Sequence, residues 1–179
     1  MAEEIAGSEQ RILNVVNPIL KKKIGSLKIR IHGDYHLGQV LFTGNDFIII
    51  DFEGEPIRPL SERRLKYSPF RDVAGMIRSF HYAAYGGLFL NSTLRKRDIP
   101  YLQEWAEPWY RCVRHVFLRA YLKTAGDSQF VPKSREETAI LLNTLLLNKA
   151  IYEIGYELDN RPEWLVIPMK GVQQIIGNQ

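Results

Sequence analysis

The chain has 179 residues, 45% of them hydrophobic, with 24 basic residues against 20 acidic ones for a net charge of +4. That is enough chain for one domain with a core, and too mild and scattered a charge for a nucleic-acid surface: Lys21-Lys22-Lys23, Arg63-Arg64 and Arg95-Lys96-Arg97 are short clusters rather than a basic face. Cys112 is the single cysteine, which excludes an intrachain disulfide and a thiolate metal cluster, and no uncharged apolar run is long enough to span a bilayer. Met1 to Ser8 is acidic and lacks an apolar signal core, so the expectation is a soluble cytoplasmic protein that binds neither nucleic acid nor membrane.

Residues 4 to 22 predict an amphipathic helix with Ile12, Val15, Val16 and Ile19 on one face, kinked or broken at Asn17-Pro18 and ended by Gly25. Leu27 to Ile31 alternates apolar and basic residues, as a half-buried strand does. Val40 to Thr43 predicts a strand, Gly44-Asn45-Asp46 a turn, and Phe47 to Ile50 a second, buried strand. Glu55 to Pro69 is rich in Pro, Arg and Ser and reads as a long loop, either over a substrate site or a solvated connector. Pro69 to Tyr85 predicts a helix with Val73, Ile77, Phe80 and Ala84 on one face and Gly86-Gly87 at its end. A second long helix runs from about Ile99 to Ala125, with Pro108 as a candidate break and Gly126-Asp127 as its stop. A third starts at the capping box Ser134-Arg135-Glu136-Glu137, buries Ile140, Leu141, Leu145 and Ile151, and closes at Arg161-Pro162. The last, from Pro162 to Ile176, is interrupted by Pro168 and Gly171.

The chemistry concentrates in residues 31 to 56. A tight hairpin brings its two ends together, so Asp34 and Gln39 before it and Asp51, Glu53 and Glu55 after it are expected to converge. Hard Mg²⁺ takes a few oxygen ligands and completes its shell with water and phosphate oxygens. In protein kinases a loop Asp is the base, an Asn five positions on is a metal ligand, and the Asp of Asp-Phe-Gly on the next loop is the other. Here Gln39 follows Asp34 by five positions and Asp51-Phe52-Glu53-Gly54 follows across the hairpin. Asp34 is therefore the candidate base, and Gln39 and Asp51 the candidate metal ligands. Glu53 either joins them or faces solvent. Histidines His32 and His36 are four apart on a loop, and His32-Gly33-Asp34 with a distant His81 or His115 would imitate a two-histidine, one-carboxylate iron site. Gly33 to Gly38 lacks the Lys and Ser or Thr of a phosphate-binding loop.

His-Gly-Asp-Tyr-His-Leu-Gly-Gln resembles the catalytic loop of the aminoglycoside phosphotransferase and choline kinase-like superfamily. Asp-Phe-Glu-Gly-Glu-Pro, Pro-Leu-Ser-Glu-Arg-Arg and Ser-Pro-Phe-Arg-Asp-Val-Ala-Gly-Met-Ile-Arg-Ser-Phe resemble bacterial maltokinases, including those fused to trehalose synthase, over about Ile31 to Val172. The resemblance implies the large C-terminal lobe of a protein kinase-like fold, mainly α with a small β-hairpin sheet, as one domain over 1–179. It implies ATP as co-substrate, Mg²⁺, and phosphoryl transfer to maltose giving maltose 1-phosphate. By the same resemblance His32 and Asp72 support the catalytic loop and His36 lies near the substrate. Tyr152 to Trp164 resembles a stretch shared by maltokinases; Glu153 and Tyr156, on one helix face, are candidate sugar contacts, with helix core and cap as the other reading. The chain lacks the strand lysine and glycine-rich loop of an ATP-binding N-terminal lobe, so a missing lobe or a trehalose synthase domain is an expected partner, and the chain alone is expected to be inactive. A non-catalytic kinase-like binding module, and a kinase for an aminoglycoside or choline, are the alternatives.

Overall fold

The computed structural model describes residues 4–5, 7–89 and 93–177, so the reading of Met1 to Ser8 lies partly outside the described residues. The order is α1 (Glu9–Lys21), a 3₁₀ turn at Leu37–Gln39, β1 (Val40–Phe42), β2 (Phe47–Ile49), α2 (Leu60–Arg63), α3 (Phe70–Phe89), α4 (Ile99–Ala125), α5 (Arg135–Asn160) and α6 (Val166–Gly177). The chain is mostly helical with one two-stranded antiparallel sheet, the class expected from sequence.

Helix α3 is the axis of the packing. Its Phe70, Val73, Ala74 and Ile77 bury against Tyr110 of α4 and Leu141, Leu142 and Leu146 of α5. A second cluster joins Val15 of α1, Leu147 and Ala150 of α5, and Val172 and Ile176 of α6. Each fully buried side chain of this size contributes about 1.5–3 kcal/mol relative to exposure. Buried among them is a charge pair: Arg78 donates from Nε to Glu153 Oε2 at 2.8 Å, and its Nη2 lies 2.8 Å from the same oxygen. Gly171 is small because a Cβ there would strike the Arg78 guanidinium.

Several boundaries differ from the sequence expectation. Helix α1 runs through Pro18 and ends at Lys21, before Gly25, and α4 runs through Pro108. Each proline frees the carbonyl four residues earlier, on Asn14 and Glu104, and both residues are exposed to solvent. Pro168 falls in the first turn of α6, where its missing N–H has no helical partner to lose, and the helix continues through Gly171. Helix α3 passes Gly86-Gly87 because Tyr85 and Leu88 on either side are buried with Ile167. In α5 the buried face is Leu141, Leu142, Leu146, Leu147 and Ala150, while Ile151 is exposed; the leucine pair at 141–142 and the triplet at 145–147 are compatible with either face, and the neighbouring helices decide. Leu27 to Ile31 forms only an isolated bridge, Ile29 to Tyr67, because no second strand lies alongside. The loop from Glu55 to Pro69 contains α2, supported by an Arg58–Glu62 ion pair at 3.2 Å.

The hairpin forms where expected, with Val40 opposite Ile49, Phe42 opposite Phe47, and Gly44 at φ 100° in the turn. Its burial does not follow expectation. Phe42, Phe47 and Ile48 are 66%, 65% and 52% exposed, since no layer among the described residues covers them, and the Phe42 and Phe47 rings lie 5.2 Å apart.

Candidate active site

The loop before the hairpin is held from below by α3. The Asp72 carboxylate accepts the backbone N–H of His32 at 2.7 Å through Oδ2 and that of Gly33 at 2.9 Å through Oδ1. Burial pushes the Asp72 carboxyl up from its ordinary value, and these two N–H groups pull it back. One turn on, Gly75 lets the loop touch the helix: a Cβ there would lie 2.7 Å from the Tyr35 carbonyl oxygen. One further turn on, Ser79 Oγ accepts the Leu37 N–H at 3.0 Å. Asp72, Gly75 and Ser79 thus present one face of α3 to the loop, following the three- and four-residue spacing of a helix.

His32 ties this loop to the far end of the hairpin. Its Nε2 faces the Ile50 carbonyl at 2.8 Å and its Nδ1 faces the Asp34 N–H at 3.4 Å. A neutral ring protonated on Nε2 meets both demands. Gly33, at φ 89°, lets the loop pass Gly54, where a Cβ would lie 3.3 Å from the Gly54 Cα. Beyond Ile50, Asp51 has φ 61°, the one non-glycine residue with positive φ among those described. Such backbone strain is found where a side chain must be aimed. Its carboxylate accepts from Gln39 Nε2 at 2.8 Å, across the hairpin. Gln39 and Asp51 are therefore brought together.

Asp34 is mostly sheltered and faces two groups: Lys149 Nζ of α5, 3.9 Å from Oδ1, and His36 Nε2, 3.8 Å from Oδ2. His36 also accepts the Gly38 N–H through Nδ1 at 3.1 Å, capping the 3₁₀ turn. Lys149 Nζ lies 3.4 Å from Glu55 Oε2 and 5.0 Å from the centre of the Tyr152 ring. The Tyr152 hydroxyl is buried beside the Glu55 carboxylate. Burial, and then the neighbouring Glu55 carboxylate, push its ionisation up to about 12. Glu53 is exposed, and its contact in the structure is through its backbone carbonyl, 3.5 Å from Arg63 Nη1.

The two residues expected to touch sugar are separated. Glu153 is 9% exposed and is occupied by Arg78, so its carboxylate serves the core. Tyr156 is 36% exposed, with the Arg161 guanidinium 5.5 Å from its ring centre. Arg161 itself pairs with buried Glu157, which also accepts the Tyr82 hydroxyl at 2.9 Å. Lys149 and Tyr152 were not singled out from sequence. Their signal was there: Lys149 is the one charge between Glu137 and Glu153, and it shares a helix face with Tyr152 and Tyr156 at the spacing i, i+3, i+7.

For a metal, the donors that fit are the Asp51 carboxylate and the Gln39 carboxamide oxygen, on side chains that already touch through Gln39 Nε2, once the amide is turned to present its oxygen. Among the described residues no group of three His, Cys, Asp or Glu stands together as a metal cage. The iron alternative has no geometry behind it: His81 is buried beside Gln174, Tyr85 and Tyr110, and His115 is exposed on α4, while His32 faces Ile50 and Asp34.

No protein-family model matches the chain. A glucosamine kinase of Mycolicibacterium smegmatis is 31% identical over 143 residues, 76% of this chain and 32% of that protein. A glucosamine kinase of Streptacidiphilus jiangxiensis is 25% identical over 146 residues, 80% of this chain and 31% of that protein. A crystal structure of a glucosamine kinase superposes with a TM-score of 0.82 at 23% identity over 99% of this chain and 41% of the other. The fold is kinase-like. A second structure, a glucosamine kinase in complex with glucosamine, ADP and inorganic phosphate, gives 0.80 at 24% identity, covering 97% of this chain and 39% of that one. The chain thus spans about a third of the length of the curated relatives it matches. No helix among the described residues is long and apolar enough to cross a membrane.

Proposed function

We propose that this chain is the catalytic lobe of an ATP-dependent sugar kinase. The observation that carries the proposal is the tethering of Asp34 and Asp51 by one histidine: His32 contacts the Asp34 N–H and the carbonyl next to Asp51, while Asp72 fixes the His32 backbone. The base and the metal-binding carboxylate of a phosphoryl-transfer site need such a fixed relation, because most of the catalysis is positioning and charge stabilisation.

In this reading Asp34 accepts the proton of the attacking sugar hydroxyl as that oxygen bonds to the γ-phosphorus. The bond from phosphorus to the bridging oxygen breaks and ADP leaves. Asp51 and Gln39 would hold Mg²⁺, which when bound supplies charge neutralisation on the phosphate oxygens; Glu53 is a further candidate ligand. Tyr156 is the better of the two expected sugar contacts, because Glu153 is occupied by Arg78. The groups that cover the nucleotide phosphates in kinases are proposed to come from outside these 179 residues, in line with the third of the relatives' length that the chain spans.

For the acceptor, the sequence resemblance favours maltose, phosphorylated at its anomeric hydroxyl, while the relatives carry the name glucosamine kinase. The test is ATP consumption with Mg²⁺ and a panel of sugars, on the longest natural polypeptide that contains the chain. Asp34→Ala serves as control. Sugar-dependent turnover abolished by Asp34→Ala is the expected result. Sugar and nucleotide binding without turnover makes the chain a binding module instead.

A further inference from the structure

Resting on the sugar-kinase reading, we infer that Lys149 sets the charge class of the acceptor: the site takes a sugar that is uncharged where it faces Asp34 and Glu55, and disfavours an amino sugar. Two carboxylates and an aromatic face make a cage for an ammonium group. Asp34, Glu55 and Tyr152 form such a cage, and Lys149 Nζ fills it at 3.9, 3.4 and 5.0 Å respectively. The position that would best hold a substrate ammonium is taken by the chain's own.

What remains for a ligand is a different set of partners. Lys149 offers N–H donors beyond those spent on the two carboxylates. Asp34 and Glu55 keep lone pairs that accept from hydroxyls. The Tyr152 hydroxyl, beside Glu55, adds oxygen lone pairs that accept. This set suits the hydroxyls of a neutral sugar, each of which gives one hydrogen bond and accepts another. An amino sugar brings a second ammonium next to Nζ, and either it loses its carboxylate partners or Lys149 does. The Lys149 side chain is 31% exposed, so its removal opens the cage without leaving a void in the core.

The experiment compares maltose and glucose with glucosamine, at a pH where the amine is protonated. The readouts are binding by saturation-transfer NMR to the purified chain and turnover in the longest natural polypeptide. The proteins are the wild type, Lys149→Met and Lys149→Arg, with folding verified by thermal melting. The wild type is expected to favour the neutral sugars. Lys149→Met is expected to move the preference towards glucosamine by about tenfold or more, the worth of one charge-assisted hydrogen bond. Lys149→Arg, which keeps the cation, is expected to keep the neutral preference. A wild type that prefers glucosamine, or an unchanged preference in Lys149→Met, overturns this inference and leaves the kinase reading standing. No binding or turnover with any sugar in any of the three overturns both.

Discussion

His81 makes stability pH-dependent in a calculable way. It is fully buried on α3, its Nε2 donates to Gln174 Oε1 at 2.8 Å, and its Nδ1 has no partner. Burial first, then the charge of Arg78, lower its pKa from 6.5 to about 2, with Lys170 acting in the same sense and the Gln174 bond against it. The folded value lies below the unfolded one, so the contribution is complete above the unfolded value and is lost as pH falls. Between the unfolded value and about pH 4.5 the unfolded chain binds a proton that the native chain refuses, which costs about 1.36 kcal/mol per pH unit, or about 2.7 kcal/mol in all. The raised pKa of Asp72 works in the opposite direction: its contribution is present below the unfolded carboxyl value and lost as pH rises through the folded one. His81→Phe separates the two. It keeps a buried ring and removes the titration, at a pH-independent cost of about 1–3 kcal/mol for leaving Gln174 Oε1 unpaired. Urea unfolding of both proteins at about pH 7 and about pH 4.5 should show the wild type losing about 2.7 kcal/mol more than the variant. Parallel losses, or an NMR titration of His81 near 6.5 in the folded protein, would refute the argument.

Glu153→Ala strands a buried guanidinium and should cost about 3–5 kcal/mol in denaturant unfolding, with Arg78→Met/Glu153→Met recovering much of it; unchanged stability with a raised sugar KM would restore Glu153 to the substrate. Tyr156→Ala should raise the sugar KM more than it lowers kcat in the active polypeptide, and an unchanged KM would return it to a surface role. Gly75→Ala drives a methyl into the Tyr35 carbonyl and should destabilise by about 1–3 kcal/mol while reducing kcat, whereas Gly87→Ala, in open space, should do neither. Asp34→Ala and Asp51→Ala should each reduce turnover by about 10²-fold or more without lowering the melting temperature, and only Asp51→Ala should weaken nucleotide binding.

The helices and the hairpin were readable because apolar spacing and turn chemistry are local. So was the candidate site in outline, since Asp34, Gln39 and Asp51 sit at short, fixed separations around one turn. What the sequence hid was set by distant partners. Glu153 reads as a polar helix residue until Arg78, 75 positions earlier, is seen beside it. Lys149 reads as one more lysine until α5 packs so as to place it over Asp34. That the helices continue through Pro18 and Pro108 was hidden for a related reason: whether a proline ends a helix depends on whether the carbonyl it frees finds another partner. The hairpin was expected to be buried because its strands are apolar, but burial needs a covering layer, and none of the described residues supplies one.

The Asp72 clasp has a consequence for how the catalytic loop breathes. A loop held by its own turns opens by itself, at little cost. Here the amides of His32 and Gly33 are bonded to a carboxylate on the first turn of α3, and that turn also carries Phe70 and Val73 of the main core. The loop cannot lift without losing two charge-assisted bonds on a buried group, so its opening belongs to the same cooperative unit as α3. In hydrogen exchange those two amides should protect like helix interior rather than like surface loop. The segment carrying Asp34 therefore borrows its rigidity from the core helix α3, although it has no regular secondary structure of its own.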